Sequence, residues 1–406
     1  MKKVNDKINK NLFYFLLVLA FLRPSLDILS QYEFKIHFQL PAFNINAVLG
    51  GLVFLFISFF LIKNFKLIYK TPLFYSISIF LSLSFLSIFY SSDYLLSLKE
   101  FIRLSSIFWL YFLTYQLIRN KKDWSLLLKT ILLSYCLPAI FAFFQFLFHK
   151  GLSDDFGGFD RIYGTFAHPN PFAFYTFFIL GLLLSLELSK YYSKSNIFRF
   201  NWVFIVFLTI TLFFTYTRSA IVCLLIFILF FGIFKYRKLL FFSGLALAFA
   251  YLLSNIFQER IWELISLDPY GSIVWRFRLW KDMLVISLWQ PWFGYGIGTF
   301  TQLVEYYRGF SWGSLEAHND YLKIFVENGI LGLISYFSII VSLFWYLVKI
   351  FRKTINKDRV ITLGLISIFF SLFLASFFDN ILRETALQWN LWIILAAWLK
   401  IKNPHR

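Results

Sequence analysis

Residues 315–333 read L-E-A-H-N-D-Y-L-K-I-F-V-E-N-G-I-L-G-L and set a histidine, an asparagine and an aspartate at the mouth of a long apolar run. Asn319 or Asp320 suits a helix N-cap, because a short polar side chain there accepts hydrogen bonds from the first free backbone amides. Asn328-Gly329 permits a kink or a fresh helix start, and His318 stands just outside the first turn. Three arginines occupy comparable polar joints: Arg161, in Arg161-x-x-Gly164-Thr165-Phe166-x-His168-Pro169-Asn170; Arg218, in Thr217-Arg218-Ser219; and Arg276, four residues before Trp280. A guanidinium stays charged and grips phosphate oxygens with two parallel hydrogen bonds. An imidazole of ordinary pKa, about 6.5, accepts a proton from a hydroxyl at neutral pH. Together these groups describe displacement of a lipid-linked diphosphate by an acceptor alcohol, with arginines stabilising the charge on the leaving group. That chemistry calls for no cofactor and no metal. Taken singly, a histidine at a helix mouth or an arginine at the hydrocarbon edge serves equally well as a structural anchor.

The segment 151–171 that carries Arg161, His168 and Asn170 is rich in glycine and proline, and it reads as neither strand nor helix. Its Asp154-Asp155 pair could hold a divalent ion, although adjacent acids in a loop are more often solvated. A long segment, 254–328, holds six of the 13 tryptophans. Within it, 275–289 places Arg276 and Trp280 one helical turn apart, with Met283, Leu284 and Ser287 following on that face, the pattern of an amphipathic helix lying near a membrane surface. Pro291 to Phe300 then forms a turn with glycines at 294, 296 and 298. No strand precedes it, so it reads as a close-packing turn and not a nucleotide loop.

These joints separate apolar stretches of bilayer-spanning length, about 20 residues each. With 59% hydrophobic, 23% aromatic and 15% charged residues and a mean hydropathy of +0.69, the 406-residue chain is no ordinary soluble domain. The expected architecture is all-α, a polytopic integral membrane protein with about twelve transmembrane helices. The spans fall near 11–30, 44–62, 72–90, 101–118, 126–148, 169–189, 200–216, 218–234, 239–257, 329–348, 360–378 and 384–399. The whole of 1–406 reads as one transmembrane domain, with 254–328 a large extracytoplasmic loop between helices nine and ten. The net charge of +18 does not signal nucleic acid, because seven clusters in alternate joints hold 25 of the 39 Lys and Arg. By the positive-inside rule those joints and both termini are cytoplasmic, and the chemistry-bearing joints face outward. Arg23 and Asp27 suit an intrahelical pair, and Arg103 a snorkelling side chain. Cys136 and Cys223 lie within spans and offer no disulfide framework. A transporter also has many helices and buried charge, but here the halves look unrelated and the polar groups gather at one face.

The combination of Arg161-x-x-Gly-Thr-Phe-x-His-Pro-Asn, Thr217-Arg218-Ser219, Arg276-x-x-x-Trp280, Pro291-x-x-Gly-x-Gly-x-Gly-Thr-Phe and His318-Asn319-Asp320-Tyr321-Leu322 resembles the O-antigen ligase and polymerase superfamily. The motif-bearing region is 151–333. The resemblance implies a GT-C-like, metal-independent, inverting glycosyltransferase of the cytoplasmic (inner) membrane, with its active site on the periplasmic or outer face. Its donor would be an undecaprenyl-diphosphate-linked glycan. Its acceptor would be a sugar of the lipid A core, or another glycan. A polymerase that extends lipid-linked repeats of an O-antigen, capsule or exopolysaccharide shares the donor chemistry. Carried over by motif, Arg218 and Arg276 bind the diphosphate and His318 activates or orients the acceptor hydroxyl. Arg161 is a further diphosphate candidate, and His168, Asn170, Asn319, Asp320 and Trp280 are supporting residues.

Overall fold

The computed structural model describes residues 2–34, 43–153, 160–191, 201–241, 243–245, 258, 262, 272–309 and 313–403. Its helices are α1 (Lys2–Leu22), α2 (Ile45–Lys63), α3 (Phe65–Ile68), α4 (Phe74–Leu86), α5 (Tyr94–Leu117), α6 (Lys121–Leu133), α7 (Cys136–Leu147), α8 (Pro169–Leu188), α9 (Asn201–Phe214), α10 (Arg218–Phe234), α11 (Ser272–Ser287), α12 (Phe300–Arg308), α13 (Asp320–Lys353), α14 (Asn356–Ala375) and α15 (Thr385–Lys402). Among the described residues five segments are long and apolar enough to cross a membrane: 45–63, 121–147, 169–188, 320–353 and 356–375. Shorter apolar helices accompany them. The chain is an all-α polytopic membrane protein. The ninth expected span, 239–257, the Asp154-Asp155 pair and the Trp312 end of the long loop lie wholly or largely outside the described residues.

Helix starts coincide with short polar side chains. Asn44 Oδ1 accepts from Ala47 N at 2.9 Å, Asp93 Oδ1 from Leu96 N at 2.9 Å and Asn319 Oδ1 from Leu322 N at 3.0 Å. The first span departs from expectation. Helix α1 stops at Leu22, where Pro24 removes a backbone donor, and a 3-10 turn (Asp27–Gln31) follows. Arg23 and Asp27 still pair, at 3.1 Å, across that turn and not along a helix. The loop after α7 also differs, since Leu152–Ser153 and Asp160–Arg161 pair as a two-residue antiparallel ladder.

Helix α15 is buried on every side from Ala386 to Leu399 and packs on α5, α6 and α8. An apolar helix with no polar face belongs in the interior of a bundle. Its polar atoms join it to its neighbours: Trp389 Nε1 donates to Ser106 Oγ at 3.0 Å, Trp398 Nε1 to Thr362 Oγ1 at 3.1 Å and Asn390 Nδ2 to the Tyr175 hydroxyl at 2.8 Å. In a membrane core such bonds hold helices in register where apolar burial discriminates little.

Helix α13 is broken at Gly329 (φ 65°, ψ −168°). A break frees backbone groups that the hydrocarbon cannot satisfy. The turn 291–296 takes them up: Tyr295 N donates to Val326 O (3.0 Å), Gly296 N to Glu327 O (2.8 Å) and Ile330 N to Pro291 O (2.8 Å). The approach is so close that a Cβ on Gly294 would sit 2.5 Å from the Glu327 carbonyl carbon, and one on Gly329 2.3 Å from Trp292 O. The glycine-rich turn is therefore the second half of the break. It ties the first turns of α13, where His318 and Asn319 lead in, to the helix that follows.

Candidate active site

His318 lies in a left-handed backbone conformation (φ 45°), uncommon for a residue with a side chain. Two contacts hold it there. Trp280 Nε1 donates to the carbonyl of buried Ala317 at 2.7 Å, and Asp320 N donates to Ser376 O at 2.8 Å. The Trp275 ring meets the imidazole edge-on, with centroids 5.6 Å apart. Helix α11 supplies both tryptophans. Its inner face, Trp275, Leu279, Met283 and Ile286, packs on Leu322 and Val326 of α13 and on Phe300 and Val304 of α12. Leu284, expected on that face, is exposed, because it falls about a third of a turn away from the Leu279–Met283 row.

The groups meet at Asp379, in the joint between α14 and α15. His318 Nδ1 is 3.6 Å from Asp379 Oδ1, slightly beyond hydrogen-bond length. Asp379 Oδ1 also accepts from Asn380 N at 3.0 Å, while Oδ2 accepts from Ser219 Oγ at 3.1 Å and Asn170 Nδ2 at 3.2 Å. Arg276 Nη1 donates to Phe378 O at 3.1 Å, beside the same carboxylate. Burial alone would raise the Asp379 pKa; contact with His318 and the charge of Arg276 outweigh it and hold the carboxyl below its ordinary 3.8. Burial lowers the Arg276 pKa, the Asp379 charge counters this, and the Arg218 guanidinium lowers it further. Arg218 and Arg276 are thus within electrostatic reach of one another. The buried Nε of Arg276 has no hydrogen-bond partner.

Arg161 sits one layer away. Its Nε donates to Thr215 O (2.9 Å), and its Nη2 to Asn170 Oδ1 (2.9 Å) and Thr217 Oγ1 (3.2 Å). It ties the start of α8 to the α9–α10 turn, which places Arg218 and Ser219. His168 caps α8, its Nδ1 accepting from Asn170 N at 3.2 Å. Loss of surrounding water, then repulsion from Arg161, brings its pKa down to about 4, so the ring is a neutral acceptor at pH 7. Asn319 caps α13, and Asp320 turns inward, accepting from Leu382 N at 2.9 Å. The sequence-derived set therefore divides: His318, Arg276 and Asn170 gather around Asp379, and Arg218 begins α10 next to Ser219, which donates to that carboxylate, whereas Arg161, His168, Asn319, Asp320 and Trp280 position the segments that carry them.

Sequence reasoning missed Asp379 and the charges beneath it. Arg103 does not snorkel; it makes a bidentate pair with Glu100 (2.6 and 2.8 Å) and donates to Leu382 O at 3.0 Å. Glu316 contacts Arg383 and, at 3.7 Å, Lys323. Glu100, Arg103, Asp320, Lys323, Glu327 and Arg383 line a cavity of about 30 Å³, enough for about one water. The available signal was the short polar joint itself: Asp379, Asn380, Arg383 and Glu384 stand between two apolar runs, on the side already expected to hold His318.

An arginine-rich polar centre at one end of a broken-helix membrane bundle, assembled where α8, α10 and α13 begin, is the class of protein that fold and site define. Residues 203–337 match the family described as O-antigen ligase, a stretch that includes Arg218, Arg276 and His318 and leaves out Arg161 and Asp379. The chain is also 26% identical over 174 residues to the teichuronic acid biosynthesis protein TuaE of Bacillus subtilis (strain 168), a match covering 40% of this chain and 36% of that protein. Both matches support a likeness of this chain to the O-antigen ligase and polymerase superfamily.

Proposed function

We propose that the protein is a glycosyltransferase that moves a glycan from an undecaprenyl-diphosphate carrier to an acceptor sugar on the outer side of the cytoplasmic membrane, without a metal. The observation that carries the reading is the meeting of His318, Arg276 and the Arg218–Ser219 start of α10 around the buried Asp379 carboxylate. In the proposed reaction an acceptor hydroxyl attacks the anomeric carbon. A new C–O bond forms as the bond from that carbon to the diphosphate oxygen breaks, and inversion follows from attack opposite the leaving group. Arg218 and Arg276 take up the charge that develops on the diphosphate. The hydroxyl proton passes to His318 Nε2. Its Nδ1 faces Asp379, which favours the tautomer whose free lone pair is on Nε2.

The acceptor defines two versions of this reading. A ligase would use a sugar of the lipid A core; a polymerase would use a second lipid-linked chain. The similarity to a protein of teichuronic acid biosynthesis favours the polymerase version. Incubating the purified protein with a lipid-diphosphate glycan, with and without lipid A core, tests both: sugar gained by the core marks a ligase, and lengthened lipid-linked product marks a polymerase. His318→Ala and Arg218→Ala should each abolish transfer in a folded, inserted protein. Transfer retained in both variants would remove the assignment.

A further inference from the structure

At the opposite end of the bundle from His318, a cavity of about 650 Å³ opens between the α3–α4 joint and the last third of α13, lined among others by Tyr69, Lys70, Thr71, Ser76, Ser342 and Tyr346. Beyond the break at Gly329, Tyr346 stands 17 residues further along α13, about 26 Å at a rise of 1.5 Å per residue and close to the ~30 Å hydrocarbon thickness of a bilayer. The walls are fixed. Ser76 Oγ and Ser342 Oγ are 3.0 Å apart, the Tyr111 hydroxyl donates to Pro72 O at 2.7 Å, and Gln116 Nε2 donates to Leu67 O at 3.3 Å. Leu73, with φ 66°, turns the chain sharply into α4.

Charge and exposure indicate the occupant. Lys70 lines the cavity itself, and the segments that carry its walls, 60–80 and 336–353, add Lys63, Lys66, Lys349, Arg352 and Lys353 nearby in sequence and not one acid. Beside the cavity Tyr75, Ile79, Val341 and Trp345 are exposed apolar or aromatic side chains, as expected of a surface in contact with acyl chains. A polar, hydroxyl-lined recess with a cationic rim, open beside a lipid-facing wall, suits a ligand with a phosphate and a hydroxylated headgroup on two acyl chains.

We propose that this recess binds one anionic phospholipid, of the phosphatidylglycerol type. The Lys70 ammonium and the lining hydroxyls would donate to its phosphate and glycerol oxygens. The site lies a membrane's width from the proposed reaction centre and stands whether or not that reading holds.

Native mass spectrometry of the full-length protein in a neutral detergent, with added phosphatidylglycerol, phosphatidylcholine or inorganic phosphate, is the test. One phosphatidylglycerol should bind about tenfold more tightly than phosphatidylcholine, and excess phosphate should not displace it. Lys70→Gln should weaken that binding about fivefold, the effect of one lysine at an anionic headgroup. Tyr346→Phe, which keeps the side-chain volume, should also weaken it, whereas Lys121→Gln, an exposed charge outside the recess, should not. Equal affinity for the two lipids, displacement by phosphate, or equal effects of Lys70→Gln and Lys121→Gln would each overturn the proposal.

Discussion

Asp379→Asn is the substitution on which the reaction proposal depends most. It preserves size and removes one charge. Asp379 now accepts on both oxygens: from Asn380 N on Oδ1, and from Ser219 Oγ and Asn170 Nδ2 on Oδ2. Whichever way the new amide turns, its NH2 faces a donor, so at least one bond to a charged acceptor is lost, at about 1.5–3 kcal/mol. The folded protein should tolerate this. Catalysis should suffer more, because the imidazole loses the anion that orients it and stabilises its protonated form. General-base catalysis contributes about 10²–10⁴-fold. The contact at 3.6 Å is longer than a direct hydrogen bond, which places the expected fall in kcat at the lower end, about 10²-fold. Removing an anion beside Arg276 leaves the site more positive, so KM for the diphosphate donor should stay the same or fall. Steady-state transfer with varied donor, alongside melting curves in detergent, separates these effects. A variant with unchanged kcat, or with its whole loss in KM, would refute the role given to Asp379. The native carboxylate has its pKa lowered on folding, so its contribution to stability is complete above its ordinary 3.8 and is lost as pH falls through the lower folded value. Its protonation cannot account for any change in rate between about pH 5 and 8.

His168 has a depressed folded pKa, so the unfolded chain takes up its proton first, and stability should decline as pH falls from 6.5 towards about 4. His168→Asn, which keeps a capping acceptor, should flatten that part of a melting-temperature profile; an unchanged slope would show that the slope belongs to another group. Gly329→Ala forces a side chain into a glycine-only conformation and onto Trp292 O, so a loss of at least about 1–3 kcal/mol is expected, read as reduced urea or heat resistance of the purified protein. Arg383→Glu and Glu316→Arg should each reduce transfer about tenfold by releasing the lead-in to His318, and the double exchange should recover most of it. Recovery failing in a folded double variant would show that the pair does not position His318. Chelators should leave transfer within about twofold of its starting rate, because arginine charge is assigned the work on the leaving group; loss on chelation restored by a divalent ion would redirect attention to Asp154 and Asp155.

The polytopic all-α character, and five spans among the described residues, were legible because about 20 apolar residues in a row have few other uses. The start of α13 was legible because Asn319 marked it; Asp93, which caps α5 ahead of the expected start at 101, and Pro24, which stops α1 before the expected end at 30, were signals that periodicity alone passed over. The residue types in the site were visible for the same reason, since polar side chains are scarce and collect in a few joints. Their partners were not. Arg161 and Arg218 look alike in sequence, yet Arg161 donates to Thr215 O, Asn170 and Thr217 across the α8 and α9–α10 connections, a role that exists only once three distant segments meet. Arg103 was read from its position near a helix end, whereas the bidentate Glu100 and the Leu382 carbonyl decide where its guanidinium goes.

Asp379 illustrates why such hubs escape a linear reading. No local pattern distinguishes it from any other acid in a short joint, and its importance comes from the cost of its burial. A carboxylate withdrawn from water is costly unless donors and positive charge surround it. Here Ser219, Asn170, the Asn380 amide, Arg276 and the His318 imidazole supply that surround from α8, α10, α11, the lead-in to α13 and the joint before α15. None of these elements has a local reason to converge on the others. The buried charge provides one, because an arrangement that leaves it unpaired is destabilised by several kcal/mol. The same carboxylate then faces Nδ1 of His318, the histidine proposed to accept the substrate proton, so the requirement that organises this end of the bundle would also set the tautomer that the proposed transfer needs.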